Sequence, residues 1–322
     1  MRIAITGATG FIGGYMSRGM VREGHHVRML ARPGRADALP DLSSSAAEKG
    51  VQVEIHEGDL KNRESLRGFL KDVDLLLHLA SAHDHIPDEE MRAINIGGTE
   101  SLLEEAKKNA PKHFRFWVVS SAVIGAPVYS YYRDTKRIQE KIIKAERFEW
   151  ASFRPTLVYG VGDFRHTAPL LRQCGAKTGK FPIYHDGLSR INPVHVDDVV
   201  DAVVRFFDFE RGVDCMYELA GPSGISYNDF IDQTIDAAKG GVKRRNVSKK
   251  WADWAIFVKG LFTDVTEARR ASAYFSLHHE HDISNAVFEL GWEPRPYLEG
   301  IRQVAETSDW WHYDADGTKV FP

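Results

Sequence analysis

Short apolar runs alternate with amphipathic segments along the first half of the chain. The β-type runs predict strands, in chain order, over 2–6, 26–30, 51–56, 74–79, 114–119 and 150–154. Apolar residues at three- and four-residue steps between these runs predict helices over 11–23, 65–71 and 99–108. The run 75–77 is all leucine, as expected of a strand that is buried on both faces. The chain is therefore predicted to fold as α/β, with a doubly wound parallel sheet.

This alternation breaks after Pro155. Residues 159–191 are rich in glycine and proline, whereas 196–207 predicts a further helix and 216–219 a short strand that rejoins the sheet. From Gly221 onward the pattern is mostly helical and irregular. Two domains are therefore predicted, the first over 1–158 plus 192–221 and a smaller, discontinuous, mostly helical one over 159–191 plus 222–322.

Composition indicates a globular protein of 322 residues, with 43% hydrophobic residues and a net charge of -3. Such a charge gives no general attraction to nucleic acid or to an anionic membrane, and we expect neither as a partner. Cys174 and Cys215 lie too far apart in the chain for a disulfide framework, which fits a reducing compartment. The N-terminus lacks a charged leader followed by an apolar segment, and the run 254–258 is too short to span a bilayer, so a cytoplasmic location is predicted.

Three glycines stand between the first predicted strand and the first predicted helix, in the sequence GATGFIGG. The spacing of Gly7, Gly10 and Gly13 allows a tight turn, close approach of a pyrophosphate and close packing of the helix on the strand. The helix N-terminus adds partial positive charge, and no lysine follows as it does in the phosphate loop of NTPases. A dinucleotide site is therefore predicted, with contacts from Gly7, Thr9, Gly10, Phe11, Ile12 and Gly13.

The end of the second strand bears on the choice of dinucleotide. Sites for NAD have an acidic residue there that binds the ribose 2′-hydroxyl. This chain instead has Arg32 and Arg35, which can form hydrogen bonds with a 2′-phosphate. We therefore favour NADP over NAD as the cofactor, the alternative being a solvated basic loop. After the third strand, Asp59 is predicted either to accept a hydrogen bond from the adenine amino group or to cap the following helix.

Tyr132 and Lys136 stand four residues apart in a helix predicted over 132–146, so they share one helical face. A phenol with a pKa of about 10 is a poor acid or base at neutral pH, and a neighbouring ammonium lowers that pKa toward the working range. The pair predicts general acid–base chemistry, the alternative being an incidental surface pair. Ser120 and Ser121 end the fifth strand, where an open α/β sheet binds ligands, and either can donate to a substrate carbonyl. The buried side of the helix is predicted to carry Ile138, Ile142 and Ile143.

Further motifs stand in order along the chain. They are GATGFIG at 7–13, GDL at 58–60, HLAS at 78–81, NIGGT at 95–99, SS at 120–121, the Tyr132/Lys136 pair, RPTLVYG at 154–160, VHVDDV at 194–199 and the closing segment DISNAVFELGWEPRPYLEGIRQV. Together they resemble, nearly end to end, the extended short-chain dehydrogenase/reductases of the NAD-dependent epimerase/dehydratase group, whose core is a Rossmann fold. The motif set is specific for that superfamily and carries little information on the substrate.

This resemblance implies a role for each motif. Tyr132 becomes the general acid/base, and Lys136 lowers its pKa and holds the nicotinamide ribose. Ser121 polarises the substrate oxygen, with Ser120 as the alternative, and Asn95 supports the site through a water. The further cofactor contacts that the resemblance implies are Leu60, Leu79, Ala80, Ser81, Ser120, Pro155 and Thr156.

Ser121 and Tyr132 are only eleven positions apart, fewer than in relatives that act on nucleotide sugars. This shortening resembles atypical members of the group and is expected to enlarge the pocket. Tyr131 or Tyr129 stays an alternative acid/base if the helix starts earlier.

Two residues are predicted to touch the substrate. His83 follows the fourth strand and faces the expected cofactor cleft, and Arg190 lies in a turn just before 194–199. A polar loop and a solvated face are the plainer interpretations. The cluster HHEHD at 278–282 lacks the spacing of a metal site, so no metal is predicted.

Three functions stay open from the sequence. The first is an epimerase or dehydratase that acts on a nucleotide-linked sugar through hydride transfer assisted by Tyr132 and Lys136. Arg190 and the basic run 239–250 favour this function. The second is an NADPH-dependent carbonyl reductase resembling dihydroflavonol reductases, which Arg32 and the short loop favour. The third is a non-catalytic dinucleotide-binding sensor or scaffold. A homodimer through the helices near 99–108 and 132–146 is expected, as in relatives.

Overall fold

The computed structural model describes residues 1–83, 86–207, 214–248, 250–251, 253–254, 258, 278–314 and 316–320. The strands, numbered in chain order, are β1 (Arg2–Thr6), β2 (His26–Ala31), β3 (Val53–Glu57), β4 (Leu75–His78), β5 (Arg115–Val119), β6 (Glu149–Pro155), β7 (Val158–Tyr159), β8 (Lys180–Tyr184), β9 (Arg190–Ile191), β10 (Val194–His195), β11 (Cys215–Leu219), β12 (Ile225–Ser226) and β13 (Lys243–Val247). The helices are α1 (Phe11–Arg22), α2 (Ser43–Lys49), α3 (Asp88–Arg92), α4 (Gly98–Asn109), α5 (Tyr131–Lys144), α6 (Thr167–Gly175), α7 (Val196–Phe207), α8 (Tyr227–Ala237), α9 (Ser284–Leu290) and α10 (Tyr297–Glu306).

The chain forms two compact units. The first unit comprises Met1–Pro155, Val199–Leu219 and Ser284–Trp292. The second unit comprises Thr156–Asp198, Ala220–Ile283 and Glu293–Pro322. Each unit has its own apolar core, and each is described separately below.

A seven-stranded sheet forms the centre of the first unit, in the order β11-β6-β5-β4-β1-β2-β3. Every neighbouring pair of strands is parallel. All four side chains of β4 are buried, as in parallel sheets that helices cover on both faces. The prediction of an α/β fold with a doubly wound parallel sheet is confirmed, including the short strand β11 that rejoins the sheet beside β6.

The register of the sheet brings the carboxyl ends of its central strands together. Thr6 of β1 is paired with His78 of β4, which is in turn paired with Val118 of β5. On one face, Trp117 packs edge-on against Phe153 of β6, with ring centroids 5.9 Å apart. This packing holds the strands so that residues following β1, β4 and β5 gather at one edge of the sheet.

The prediction of a helix over 65–71 is wrong. The structure has a single 3₁₀ turn at Arg63–Leu66, followed by turns. Gly68 adopts a left-handed φ of +80°. The Arg28 guanidinium donates hydrogen bonds to the carbonyl oxygens of Gly68, Phe69 and Lys71 at 3.4, 3.0 and 2.8 Å. These bonds from Arg28, together with the left-handed Gly68, hold the segment as turns rather than as a helix.

Residues 284–292 belong to the first unit, although the sequence analysis placed them in the second. Helix α9 packs on β11, where Tyr217 Oη donates to Glu289 Oε2 at 2.5 Å. Arg205 of α7 donates to the Gly291 carbonyl at 2.8 Å. Conversely, 192–198, predicted in the first domain, lies in the second unit, where β10 pairs with β7.

The second unit combines three small two-stranded sheets with helices α6, α8 and α10. Strand β7 pairs with β10 and β8 with β13, both parallel, and β9 pairs with β12 antiparallel. Its core is apolar and includes Leu171, Ile183, Phe230, Ile231, Ile301 and Trp311. Among the residues that the structure describes, no helix is long and apolar enough to cross a membrane.

Candidate active site

The glycine turn is shaped for close approach. Gly7 has a φ of +75°, and a Cβ at Gly13 would lie 2.0 Å from the Gly7 carbonyl oxygen. Gly10 precedes α1 and offers no side chain to cap the first amides of that helix. Free N–H groups at a helix N-terminus, in a cradle that a Cβ would fill, suit the pyrophosphate of a dinucleotide.

Arg32 and Arg35 lie in an exposed turn directly after β2, with the Arg35 amide bonded to the Arg32 carbonyl at 2.9 Å. Both side chains are thus accessible to a phosphate at the end of the strand. Asp59 accepts a hydrogen bond from the Lys61 amide at 2.9 Å, and its own amide donates to Ser65 Oγ. The local turn therefore occupies one oxygen of Asp59, which caps no helix because the helix predicted over 65–71 does not form, and its adenine contact stays a prediction.

Helix α5 buries a polar face. Lys136, Gln139 and Glu140 are at most 4% exposed, whereas Ile138 is 38% exposed. The prediction that Ile138 marks the buried side is wrong, because α5 turns its acid–base and hydrogen-bonding residues toward the sheet. Ile143 is buried as predicted.

Lys136 is the buried cation of this face. Its Nζ donates to Gln139 Oε1 at 2.6 Å and to the Val119 carbonyl at the end of β5 at 3.3 Å. Burial lowers the pKa of Lys136 to about 8, against the opposing charge of Glu140. Tyr132 lies one helical turn earlier and is half-buried. An ammonium held this close to the start of α5 is the group that would tune a phenol there.

His83 lies against Tyr132. The two rings are 4.7 Å apart between centroids and tilted by 35°. His83 is exposed at the end of the segment that follows β4. The structure therefore brings His83, the predicted substrate contact, against Tyr132, the predicted acid/base, although the two residues lie on separate elements.

Asn95 is fully buried in a π-helical turn, Ala93–Gly97. Its Oδ1 accepts from the Ala82 amide at 2.7 Å, and its Nδ2 donates to the Ala82 carbonyl and to Thr135 Oγ1, both at 3.0 Å. Thr135 Oγ1 in turn donates to the Tyr132 carbonyl at 2.8 Å. Asn95 thus ties the segment after β4 to the first turn of α5.

The two serines after β5 differ in their surroundings. Ser120 is buried beside Glu140, whose pKa its hydroxyl helps to lower. Ser121 is partly exposed and begins a 3₁₀ turn, with its Oγ accepting from the Val123 amide at 3.3 Å. Ser121 is therefore the more accessible of the two for a substrate oxygen.

Other predicted cofactor residues follow β1, β4 and β6. The Ala80 amide donates to Thr6 Oγ1 at 3.2 Å, and Ser81 Oγ donates to Asn95 Oδ1 at 3.3 Å. Leu60 is buried, and Pro155 ends β6. Thr9 lies in the glycine turn, Leu79 follows β4 and Thr156 follows β6, whereas Phe11 and Ile12 begin α1. The cofactor contacts of these residues stay predictions.

In the second unit, two of the basic residues considered for a substrate diphosphate, Arg190 and Arg244, have protein partners. Arg190 forms an ion pair with Glu280 at 2.9 Å and donates to the Gly224 carbonyl. Arg244 forms an ion pair with Asp232 at 3.0 Å. The cluster at 278–282 is among the described residues, and within those residues no group of three or more His, Cys, Asp or Glu side chains is arranged to hold a metal ion.

Sequence reasoning missed His78 and Gln139 as site residues. His78 appeared only within HLAS, and Gln139 carried no motif. Both are fully buried and hydrogen-bonded to each other at 3.0 Å. The only signal in the sequence was a polar residue at a helical position otherwise expected to be apolar.

Comparison with known proteins adds a family and several relatives. The sequence model described as the NAD dependent epimerase/dehydratase family matches residues 3–220. A ceramide reductase of Caulobacter vibrioides is 29% identical over 204 residues, which are 63% of this chain and 60% of that protein. A ketoreductase of Aspergillus fumigatus is 23% identical, with 94% of this chain and 96% of that protein covered.

Solved structures share the fold. UDP-glucose 4-epimerase from Thermotoga maritima, solved with UDP-glucose, has a TM-score of 0.71 at 19% identity and covers 95% of this chain and 98% of its own. UDP-glucose 4-epimerase from Bifidobacterium longum, solved with NAD+ and UDP, has a TM-score of 0.72 at 17% identity and covers 97% and 98%. At such identity the likeness shows the fold alone.

Proposed function

The chain belongs to the NAD-dependent epimerase/dehydratase family of NAD(P)-dependent enzymes, and on that premise we propose that it is an NADPH-dependent carbonyl reductase. In the reverse direction the same site would oxidise a secondary alcohol. The glycine turn would hold the pyrophosphate on the N-terminus of α1, and Arg32 and Arg35 would bind the 2′-phosphate. The bound dinucleotide would supply the hydride.

One observation carries the acid–base part of the proposal. The Lys136 ammonium is buried one turn after Tyr132, and burial lowers its pKa to about 8. At neutral pH the amine is still mostly protonated, and an ammonium beside a phenol favours the phenolate. Tyr132 would then give its proton to the oxygen of the ketone as that oxygen gains negative charge, with Ser121 donating a hydrogen bond to the same atom.

The substrate class is supported by the second unit and by the relatives. Arg190 and Arg244, the basic residues that a nucleotide sugar would need, are engaged with Glu280 and Asp232. Relatives named ceramide reductase and ketoreductase act, by those names, on a lipid and on a ketone. We therefore propose an apolar ketone rather than a nucleotide-linked sugar. Epimerisation of a sugar is the second candidate, which the family description favours.

Cofactor stoichiometry separates the two candidates. Purified protein is incubated with NADPH and a panel of lipid, steroid and aromatic ketones, and the loss of reduced nicotinamide is compared with the alcohol formed. Reduction predicts one NADPH consumed for each alcohol. Conversion of a UDP-sugar to its epimer, with no net consumption of cofactor, would contradict the reductase and favour the epimerase.

Arg190→Ala gives a matched variant for the same question. A reductase is expected to keep its KM for ketone, because Arg190 is paired with Glu280. An epimerase that used Arg190 on a diphosphate would show a higher KM for the UDP-sugar.

A further inference from the structure

A buried polar network joins β1, β4, α4 and α5 in the first unit. Its members are all at most 1% exposed and are Thr6, His78, Asn95, Thr99, Lys136 and Gln139. Buried polar groups cost free energy unless they are hydrogen-bonded, and here the bonds form a continuous chain. Gln139 lies at the centre of that chain, and the proposed reaction gives it no role.

Gln139 uses both ends of its amide. Its Oε1 accepts from Lys136 Nζ at 2.6 Å. Its Nε2 donates to His78 Nε2 at 3.0 Å and to Thr99 Oγ1 at 2.9 Å, and lies 3.3 Å from the Asn95 carbonyl oxygen. The side chain is therefore held by β4, by α4 and by the π-helical turn while it touches the ammonium.

Donor and acceptor roles fix the direction of each hydrogen bond in this network. An ammonium only donates, so Gln139 must present its oxygen to Lys136 and its NH₂ to His78. The His78 Nε2 must then accept, which leaves Nδ1 to carry the proton and donate to Thr6 Oγ1 at 2.7 Å. Burial lowers the pKa of His78 to about 3, and the charge of Lys136 acts in the same direction. The ring is therefore neutral, as this hydrogen-bond network requires.

We propose that Gln139 is the positioning residue of Lys136: its carbonyl oxygen, locked by the neutral His78 ring and Thr99, holds the ammonium in place and keeps it protonated. This inference rests on the proposed function for the use of that ammonium. Of the three Lys136 N–H groups, Gln139 and the Val119 carbonyl take two, so one is left for the cofactor ribose or the phenol.

The other titratable groups near Lys136 do not replace Gln139. Besides the phenol one turn earlier, they are His78 from β4 and Glu140 from α5. His78 is neutral and adds no favourable charge. Glu140 favours the ammonium, but its oxygens are taken by Arg154 at 2.6 and 2.8 Å. Among the residues that the structure describes, Gln139 is the side chain that accepts a hydrogen bond from the ammonium.

Unfolding measured against pH tests the proposal without any cofactor. Lys136 has a pKa near 8 when folded and about 10.4 when unfolded, so the unfolded chain binds the extra proton between these values. The contribution of Lys136 to the free energy of unfolding is unfavourable below that window and rises with pH across it. Subtracting the curve of Lys136→Met isolates this contribution and gives the pH at which the rise begins.

Gln139→Met removes the acceptor and is expected to move that onset down by about one pH unit or more, because a buried ammonium loses a charge-assisted hydrogen bond. Gln139→Glu keeps an acceptor and is expected to move it up. Ser101→Ala, which loses another buried hydroxyl bond in α4, is the control and should leave the onset unchanged. A purely structural Gln139 would lower stability equally at all pH values and would leave the onset where it is, which overturns the proposal.

Thr99→Val is the second variant, should Gln139→Met not fold. It removes one partner of the Gln139 amide and is expected to move the onset in the same direction by a smaller amount; an unmoved onset overturns the proposal.

NADPH affinity across the same pH range supplies the second readout. In each variant, the pH at which NADPH affinity falls is expected to shift together with the pH at which the rise in the free energy of unfolding begins. An onset that moves while the affinity profile stays fixed contradicts a positioning role. Absence of NADPH binding by the unaltered chain would refute the proposed function, and the unfolding result would still decide whether Gln139 controls Lys136.

Discussion

Arg32 and Arg35 lie in the exposed turn after β2, where the proposed function puts the 2′-phosphate of NADPH. Replacing both by alanine is expected to weaken NADPH binding by roughly tenfold to a hundredfold, as two charge-assisted hydrogen bonds are lost. NADH binding should stay nearly unchanged. Fluorescence titration with each cofactor measures both. Arg67→Ala, an exposed arginine of the same unit paired with Glu64, is the control. Equal losses for the two cofactors would contradict the 2′-phosphate assignment.

Single residues were predictable where their chemistry is local. The glycines and the Tyr132/Lys136 spacing stand out because tight turns and helical faces follow from sequence distance alone. Gln139 and His78 were not predictable, because their partners come from elements 40 and 61 positions away in the chain. Their role depends on which side of α5 faces the sheet, and local patterning gave the wrong side for Ile138.

Elements were predictable where the apolar pattern was regular. The six strands of the first half and helices α1, α4 and α7 came within a few residues of their observed bounds. Helix α2, with few apolar residues, and the turns around Gly68 were missed because capping and the Arg28 side chain, rather than periodicity, decide them. The π-helical turn that carries Asn95 has no signature in the pattern.

The contact between α5 and β6 depends on one buried carboxylate. Burial alone would raise the pKa of Glu140, but the hydrogen bonds from Arg154, the nearby Ser120 hydroxyl, the Arg154 charge and a hydrogen bond from Ser152 together lower it to about 2. A lowered pKa stabilises the fold above the unfolded value of about 4.3, and this stability is lost as pH falls toward 2. The loss is expected to be on the order of 3 kcal/mol.

Glu140→Gln is therefore expected to flatten the fall of the free energy of unfolding between about pH 5 and pH 2 and to lower stability at neutral pH. Urea titrations at each pH measure this. Glu64→Gln, at an exposed ion pair, is the control and should keep the slope of the unaltered chain. An unchanged slope in Glu140→Gln would contradict the role given to this pair.

At the scale of the whole molecule, the sequence did not reveal where one late segment belongs. Residues 284–292 read as part of a helical C-terminal region, but α9 packs on the edge strand β11. Such a return is decided by long-range contacts such as Tyr217 with Glu289, which no local pattern contains.

Self-association is also a property of the whole molecule. We expect a homodimer through α4 and α5, and Ile138 is an apolar residue on the exposed side of α5. Ile138→Asp is expected to shift the protein toward monomer, because a buried unpaired charge opposes an apolar interface. Sedimentation velocity measures the change. Val287→Asp, an equally exposed position on α9, should have no effect; a monomeric unaltered chain would contradict the expectation.

The most direct test of the central claim compares NADPH binding and turnover in Tyr132→Phe. Tyr131→Phe, one position earlier on the same helix, is the matched control. Tyr132→Phe is expected to bind NADPH about as well as the unaltered chain while kcat falls at least about a hundredfold, and Tyr131→Phe is expected to keep its turnover. Turnover unchanged in Tyr132→Phe would contradict the acid–base role on which the proposed function rests.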